Sequence, residues 1–190
     1  MAKLIYPAVT SLDAYIADEP GTSIGRCQTS CYMPSSTISS TLSACILYGR
    51  KMYETMTGSE TPDVSPDRTP AMLAFAQIWQ AADKIVHSKS LETVATPKTR
   101  LEREFDPQAV RDLKAQLLHD VAVAGPTLAA HTIRAGLVDE YHLFVAPIII
   151  GGGKPVLPGN VRVTLELLTS AVSVMEWSSS LPRPRQDGDG

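Results

Sequence analysis

From Lys3 to Ile150 the sequence alternates short β-favouring apolar runs with stretches of helical period, and glycine or proline marks most of the joins. That alternation leaves a chain few choices. Strands that follow one another through helices run parallel and need helices on both faces of their sheet. Strands are expected at Lys3–Thr10, Ile46–Tyr48, Lys84–Ser88, Asp120–Ala124 and Glu140–Ile150, with an extended stretch at Thr99–Phe105. The run Phe144–Ile150 is nearly all apolar, the pattern of a centrally buried strand. Helices are expected from Pro70 to Ala82, from Asp106 to Leu118 and from Leu128 to Arg134. Leu73, Ala76 and Trp79 would face inward on the first, and Val110, Leu113 and Leu117 on the second. Val161–Leu168 alternates again and reads as a last strand. The fold class is therefore α/β, a mostly parallel central sheet with an antiparallel C-terminal edge.

With 190 residues and 44% hydrophobic content, the chain fits one domain, read as residues 1–181, followed by a Pro/Arg/Gly tail, 182–190, too polar to order itself. A net charge of −3 and the absence of any basic block argue against a nucleic-acid partner. No apolar run has the length of a membrane span, and Met1–Pro7 lacks the core of a signal peptide, so a cytoplasmic location is expected. The cysteines, Cys27, Cys31 and Cys45, fall in one segment, and no second Cys/His pair stands near them to complete a metal site.

Three joins carry possible chemistry. At Leu47-Tyr48-Gly49-Arg50-Lys51-Met52 a strand turns at glycine into a helix that opens on two cations. Such a corner presents free backbone N–H groups and the positive end of the helix dipole to one point, where an anion settles. Ala124-Gly125-Pro126-Thr127 is a second corner of this kind, and Ser88-Lys89 ends another strand with a hydroxyl and a cation. A plain turn accounts for each corner taken alone. Taken together they describe a pyrophosphate and a further phosphate, with no acidic residue where an unphosphorylated ribose would want one. That favours NADP over NAD. There is no G-x-G-x-x-G or P-loop spacing, and Gly151-Gly152-Gly153-Lys154 reads as a turn.

Several segments carry a family resemblance: Ser11-Leu12-Asp13-Ala14-Tyr15-Ile16-Ala17, Tyr48-Gly49-Arg50-Lys51-Met52-Tyr53-Glu54, Ile85-Val86-His87-Ser88 and Val123-Ala124-Gly125-Pro126-Thr127-Leu128. Gly136-Leu137-Val138-Asp139-Glu140-Tyr141 and Pro147-Ile148-Ile149-Ile150-Gly151-Gly152-Gly153 complete the set. The chain resembles the dihydrofolate reductase-like family, and within it the branch similar to the C-terminal reductase domain of the bacterial riboflavin-biosynthesis deaminase-reductase. The resemblance implies a three-layer αβα fold and an NADPH-dependent reductase of a pteridine- or pyrimidine-like heterocycle, similar to 5-amino-6-(5-phosphoribosylamino)uracil reductase. It implies that Gly49, Arg50, Lys51 and Met52 bind cofactor phosphates and that Ser88 and Lys89 hold the ribose phosphate. Gly125, Thr127 and Leu128 would line the pyrophosphate, Ala8 and Ile16 would lie near the nicotinamide, and Asp13 would be the catalytic candidate on the substrate side. A homodimer is implied as well. Ala14 and Ala124 stand where the family has glycine. The alternatives are a non-catalytic NADPH-binding member with a degraded substrate wall, and a dihydrofolate reductase proper.

Two stretches depart from the family. Ser23–Cys45 is Ser/Thr-rich where an amphipathic helix is expected, and the pattern fades again over residues 169–181. Codons can be chosen for Ser23–Ala44 so that a frame displaced by one nucleotide encodes an amphipathic helix. The same exercise on Thr169–Ser180 yields a hairpin turn and a strand. Two restorations at the two places where the pattern fails point to out-of-frame translation, against a natural polar loop and tail. A chain translated as written would lose apolar burial comparable with a domain's stability margin, and weak folding with little turnover follows. Resequencing the gene should reveal compensating single-nucleotide shifts. A peptide spanning Cys27 to Met33, recovered by mass spectrometry from the native source, would rule out a sequencing error.

Overall fold

A computed structural model describes residues 1–22, 44–57 and 70–170, side chains at 70–72 excepted. The readings made for Ser23–Ser43 and for residues 171–190 therefore lie outside the described residues, as do Cys27 and Cys31. Eight strands and four helices are described. They follow in the order β1 (Leu4–Ser11), β2 (Tyr15–Ala17), β3 (Cys45–Gly49), α1 (Arg50–Thr57), α2 (Pro70–Ala81), β4 (Asp83–His87) and β5 (Thr99–Glu102). Then come α3 (Pro107–Gln116), β6 (Val121–Ala124), α4 (Pro126–Arg134), β7 (Glu140–Ala146) and β8 (Lys154–Pro155).

Six strands form one sheet in the order β5-β4-β3-β6-β1-β7, and each pairing is parallel. The antiparallel element is the small sheet of β2 with β8. Alternate residues of each strand point to opposite faces, so each strand feeds two cores. Leu47, Ile85, Val121 and Val123 face one, under α3 and α4, together with Val110, Leu128 and Ile133. Ile46, Tyr48, Val86 and Ala122 face the other, against Tyr53 and Met56 of α1 and Trp79 of α2. Helices cover both faces, which is the expected three-layer arrangement.

Local chemistry sets the helix ends. The Asp106 carboxylate accepts from the Gln108 backbone N–H, and Pro107 occupies the first turn, where its missing N–H costs nothing. In α2 the buried side is Phe75 and Trp79; Leu73 is exposed, against expectation, because the helix is pinned by Trp79. The Trp79 indole N–H donates to the Tyr48 hydroxyl at 2.8 Å, and the Lys84 ammonium lies 4.5 Å over the Trp79 ring. That donor needs a buried partner, and Tyr48 provides it from the sheet.

Two other expectations are corrected. Glu140–Ile150 is not a centrally buried strand: β7 stops at Ala146 and is the edge of the sheet among the described residues, with Leu143 41% and Val145 53% exposed. An apolar run carries no record of how many faces are covered. Val161–Leu168 forms no strand; Val163, Leu165 and Leu167 are exposed, and among the described residues no strand pairs with them. Period-two alternation is a capacity to pair, realised only when a partner edge is in reach.

Beyond the rim of the sheet, β1 and the chain after β7 are clasped together. Leu12 N–H donates to Ile148 C=O at 2.8 Å, and Val156 N–H donates to Ala14 C=O at 3.0 Å. Gly153 lies so close to β2 that a Cβ there would sit 2.1 Å from the Ala17 carbonyl oxygen. Ala14 takes φ of +65°, a left-handed conformation that costs a residue with a Cβ roughly 1–2 kcal/mol. Ala14→Gly should therefore raise stability by about 0.5–1 kcal/mol in denaturant titrations, the relief being partly offset by the freer unfolded chain. Gly153→Ala should lower stability, since its clash is with backbone.

Candidate functional site

Because the six strands are parallel, their carboxyl ends share one rim. β3 hands the chain to α1 on one face of the sheet, whereas its neighbour β6 hands it to α4 on the other. Tyr48 pairs with Ala124, so Gly49 and Gly125 leave the sheet side by side in opposite directions. A crevice opens between strands whose connections diverge in this way, and nucleotides bind there in open α/β sheets.

The two helix starts touch. A Cβ on Gly125 would stand 2.9 Å from the Met52 Cβ, and Gly125 has φ of +91°, so both space and backbone conformation call for glycine. Ala124 does not adopt positive φ, and alanine is tolerated there. A Cβ on Gly49 would meet only Leu128 Cβ, at an ordinary 3.7 Å. Packing within the chain does not demand a glycine at 49, and what it leaves is room at the crevice.

The third corner adjoins the first two. Gly49 pairs with His87, and Ser88 follows directly. Ser88 is 8% exposed, and its Oγ accepts from the Ser90 and Leu91 backbone N–H groups, leaving its own proton free to donate. Arg50 binds this loop to the first corner: Nε donates to Glu54 at 2.6 Å and Nη1 to the Ser90 hydroxyl at 2.8 Å. Lys89 pairs with Glu104 at 3.2 Å, with both side chains exposed, so water screens the pair and leaves Lys89 available to another anion. Lys51 is exposed and makes no ion pair among the described residues.

The far end of the rim holds Asp13. Its carboxylate accepts from Gly151 N–H at 2.7 Å and Ile150 N–H at 3.2 Å. The neighbouring Ser11 hydroxyl, then those backbone donors, hold its pKa below the usual carboxylate value. Asp13 is thus an ionised anchor for the glycine turn. Ala8 lies within β1 opposite Leu143, and Ile16 lies on β2; both pack on the core shared with Leu128.

The structure thus brings Gly49, Arg50, Lys51, Met52, Ser88, Lys89, Gly125, Thr127 and Leu128 to three adjoining corners, with Asp13 further along the same rim. Sequence reasoning missed Ser90, which receives Arg50, and Lys154, whose Nζ reaches Thr127 Oγ1 at 3.3 Å. The signal for Lys154 was its place after a glycine run that follows a rim-directed strand. Among the described residues no group of three or more His, Cys, Asp or Glu could hold a metal, and no helix is long and apolar enough to cross a membrane.

One group on the rim makes stability depend on pH. The His87 ring meets Phe105 edge-on, 5.8 Å between ring centres, and its Nδ1 is buried without a partner among the described residues. Burial lowers its pKa, because the charged ring is poorly solvated. Folding then favours neutral His87: its contribution is present above the unfolded value of about 6.5 and is lost as pH falls below it. Stability measured from pH 8 to 5 should decline through that window, and His87→Phe should flatten the decline.

Comparison with known proteins places this geometry. The sequence model of the family described as RibD C-terminal domain matches residues 2–176. YyaP of Bacillus subtilis, an uncharacterised protein, is 30% identical over 138 residues, which cover 66% of this chain and 65% of that protein. A putative riboflavin biosynthesis protein from Shewanella has the same fold, with a TM-score of 0.68 at 19% identity over 90% of this chain and 92% of that one. So does a diaminohydroxyphosphoribosylaminopyrimidine deaminase/5-amino-6-(5-phosphoribosylamino)uracil reductase from Thermotoga maritima, with a TM-score of 0.56 at 18% identity. The match covers 85% of this chain and 49% of that one, so this chain spans about half the length of the two-activity protein.

Proposed function

This chain belongs to the family of RibD C-terminal domains, and from that premise we propose that it is an NADPH-dependent reductase of a pteridine- or pyrimidine-like heterocycle, working in the cytoplasm. The observation that carries the reading is the crevice between β3 and β6, where two glycine corners and two helix starts meet beside a Ser/Lys loop. The residues present fit a phosphorylated dinucleotide. Gly49 leaves space for backbone approach, the first turns of α1 and α4 supply N–H donors, and Lys51 supplies a cation that has no carboxylate partner among the described residues. Ser88 and Lys89, two strands from the Gly125 corner, stand where a ribose phosphate would reach.

The bound cofactor supplies the hydride, and the chain's task is to hold and orient it. In this reading the nicotinamide end extends along the rim toward Ala8 and Ile16. Asp13 keeps the glycine turn in place as a fixed negative charge. A carboxylate already accepting from two backbone N–H groups is a poor proton donor, so its effect on substrate is electrostatic and positional. The Thermotoga relative's substrate, an aminopyrimidine carrying a phosphoribosyl group, is the first compound to offer. A second copy of the chain completes the reading as partner; the exposed apolar side chains of β7 support it, and light scattering tests it.

The occupied state of Asp13 also favours a second reading, a member that binds NADPH without turning it over. One titration separates the readings from chance. NADPH should bind about tenfold or more tightly than NADH, since the extra phosphate meets charge-assisted donors. Ser88→Ala with Lys89→Gln should remove most of that preference while leaving NADH affinity in place. Equal affinities in the unaltered chain would defeat the proposal. NADPH binding with no oxidation by an aminopyrimidine or a dihydropterin would leave the non-catalytic reading standing, and consumption of dihydrofolate would identify a dihydrofolate reductase.

A further inference from the structure

Away from the crevice, the sheet has an edge without a strand and the chain has a strand-like segment without an edge. Among the described residues β7 ends the sheet, and it is paired from Ile5 to Ser11 of β1 along one side alone. A strand directs alternate N–H and C=O groups to its two sides, so the outer side of β7 offers a row of them to a further strand. The side chains along that row are apolar. Tyr141 meets Tyr6 on the core beneath α3 and α4, and Leu143 and Val145 follow at period two on the same face, both exposed. Sheets blunt such an edge with charge, proline or a covering element, yet from Leu143 to Ala146 β7 carries neither charge nor proline.

The segment without an edge is the arm 161–168. Val161 packs on the core and roots it, just after a turn at Asn160 with φ of +59°. Exposure then rises along the chain, from 49% at Val163 to 57% at Leu165 and 80% at Leu167, so the arm runs outward from the body. Val163, Leu165 and Leu167 alternate with Arg162, Thr164 and Glu166, which gives an extended arm one apolar face and one polar face. Set beside β7 with Leu165 opposite Leu143, an antiparallel arm brings Val163 to Val145 and Leu167 to Tyr141. The polar face then matches too, with Glu166 opposite His142; a parallel arm would set Glu166 against Phe144. Within one copy the arm and the edge are both described, and no pairing joins them. A second copy supplies what each lacks. Two copies related by a twofold axis each give one arm and receive one, which covers both edges and closes the assembly at two.

We propose that two copies of this chain exchange arms, residues 162–168 of each adding an antiparallel strand to the β7 edge of the other. The inference rests on the reading of a second copy as partner and makes its surface specific; it is independent of what the crevice binds. Light scattering across a concentration series of the whole chain tests it. Leu143→Glu and Leu165→Lys, both at exposed positions, should each weaken the dimer about tenfold or more, since each withdraws a leucine from the junction. Circular dichroism should confirm that both variants are folded. Mixing the two variants should restore the dimer. One junction then has an unaltered arm on an unaltered edge, and at the other the introduced ammonium meets the introduced carboxylate. In the unaltered dimer, hydrogen exchange should show protected amides in both β7 and 162–168. A dimer indifferent to Leu165→Lys would overturn the exchange and leave a second copy as partner through another surface. A chain monomeric at every concentration would overturn both, and protected β7 amides in that monomer would assign the edge to a segment of its own chain. A dimer that behaves as expected but takes no NADPH keeps the exchange and sinks the cofactor reading instead.

Discussion

The pairing of Tyr48 with Ala124 is the contact on which the rim depends. It sets β3 beside β6 and brings two glycine corners level, while the chain beyond them goes to opposite faces of the sheet. A shift of one residue would reverse which side chains of β3 meet which core and would separate the corners. The register is held by burial on both faces: Leu47 and Val123 against one helical layer, Tyr48 and Ala122 against the other. Gly125 then allows α4 to start against Met52 of α1. The geometry attributed to function is thus a consequence of core packing several residues upstream.

The second constraint is the clasp between the loop after β1 and the chain after β7. Backbone hydrogen bonds from Leu12 and to Ala14, the Asp13 carboxylate on Ile150 and Gly151, and the close approach of Gly153 to Ala17 act together. The hydrogen bonds satisfy backbone N–H groups of one segment with acceptors of the other, and the Gly153 approach leaves no room for a side chain between them. The clasp is built on a strained residue, Ala14, held left-handed by contacts on both sides.

Much of this was legible in the residues. The alternation of strands and helices, the caps at Asp106 and Pro107, and the corners at Gly49 and Gly125 follow from local chemistry, and local chemistry is what a sequence records directly. The failures are equally physical. Phe144–Ile150 looked like a central strand because apolar content measures burial, not position, and β7 lies at an edge. Leu73 followed a helical period but not the side that Trp79 selects. On Asp13, the catalytic candidate that the resemblance implies, the residues are silent rather than mistaken: its engagement by two backbone N–H groups from far along the chain has no trace in its neighbours.

By itself the sequence determined the class of fold, the residues at each strand end and the chemistry those ends could offer, since period, propensity and turn preference act within a few residues. Tertiary structure alone decided which ends became neighbours. The strand order β5-β4-β3-β6-β1-β7 interleaves early and late strands, and it is that order which sets Gly49 beside Gly125, Asp13 beside Gly151 and Lys154 beside Thr127. Such contacts depend on how apolar faces share a core across long separations in the chain, and nothing local encodes that.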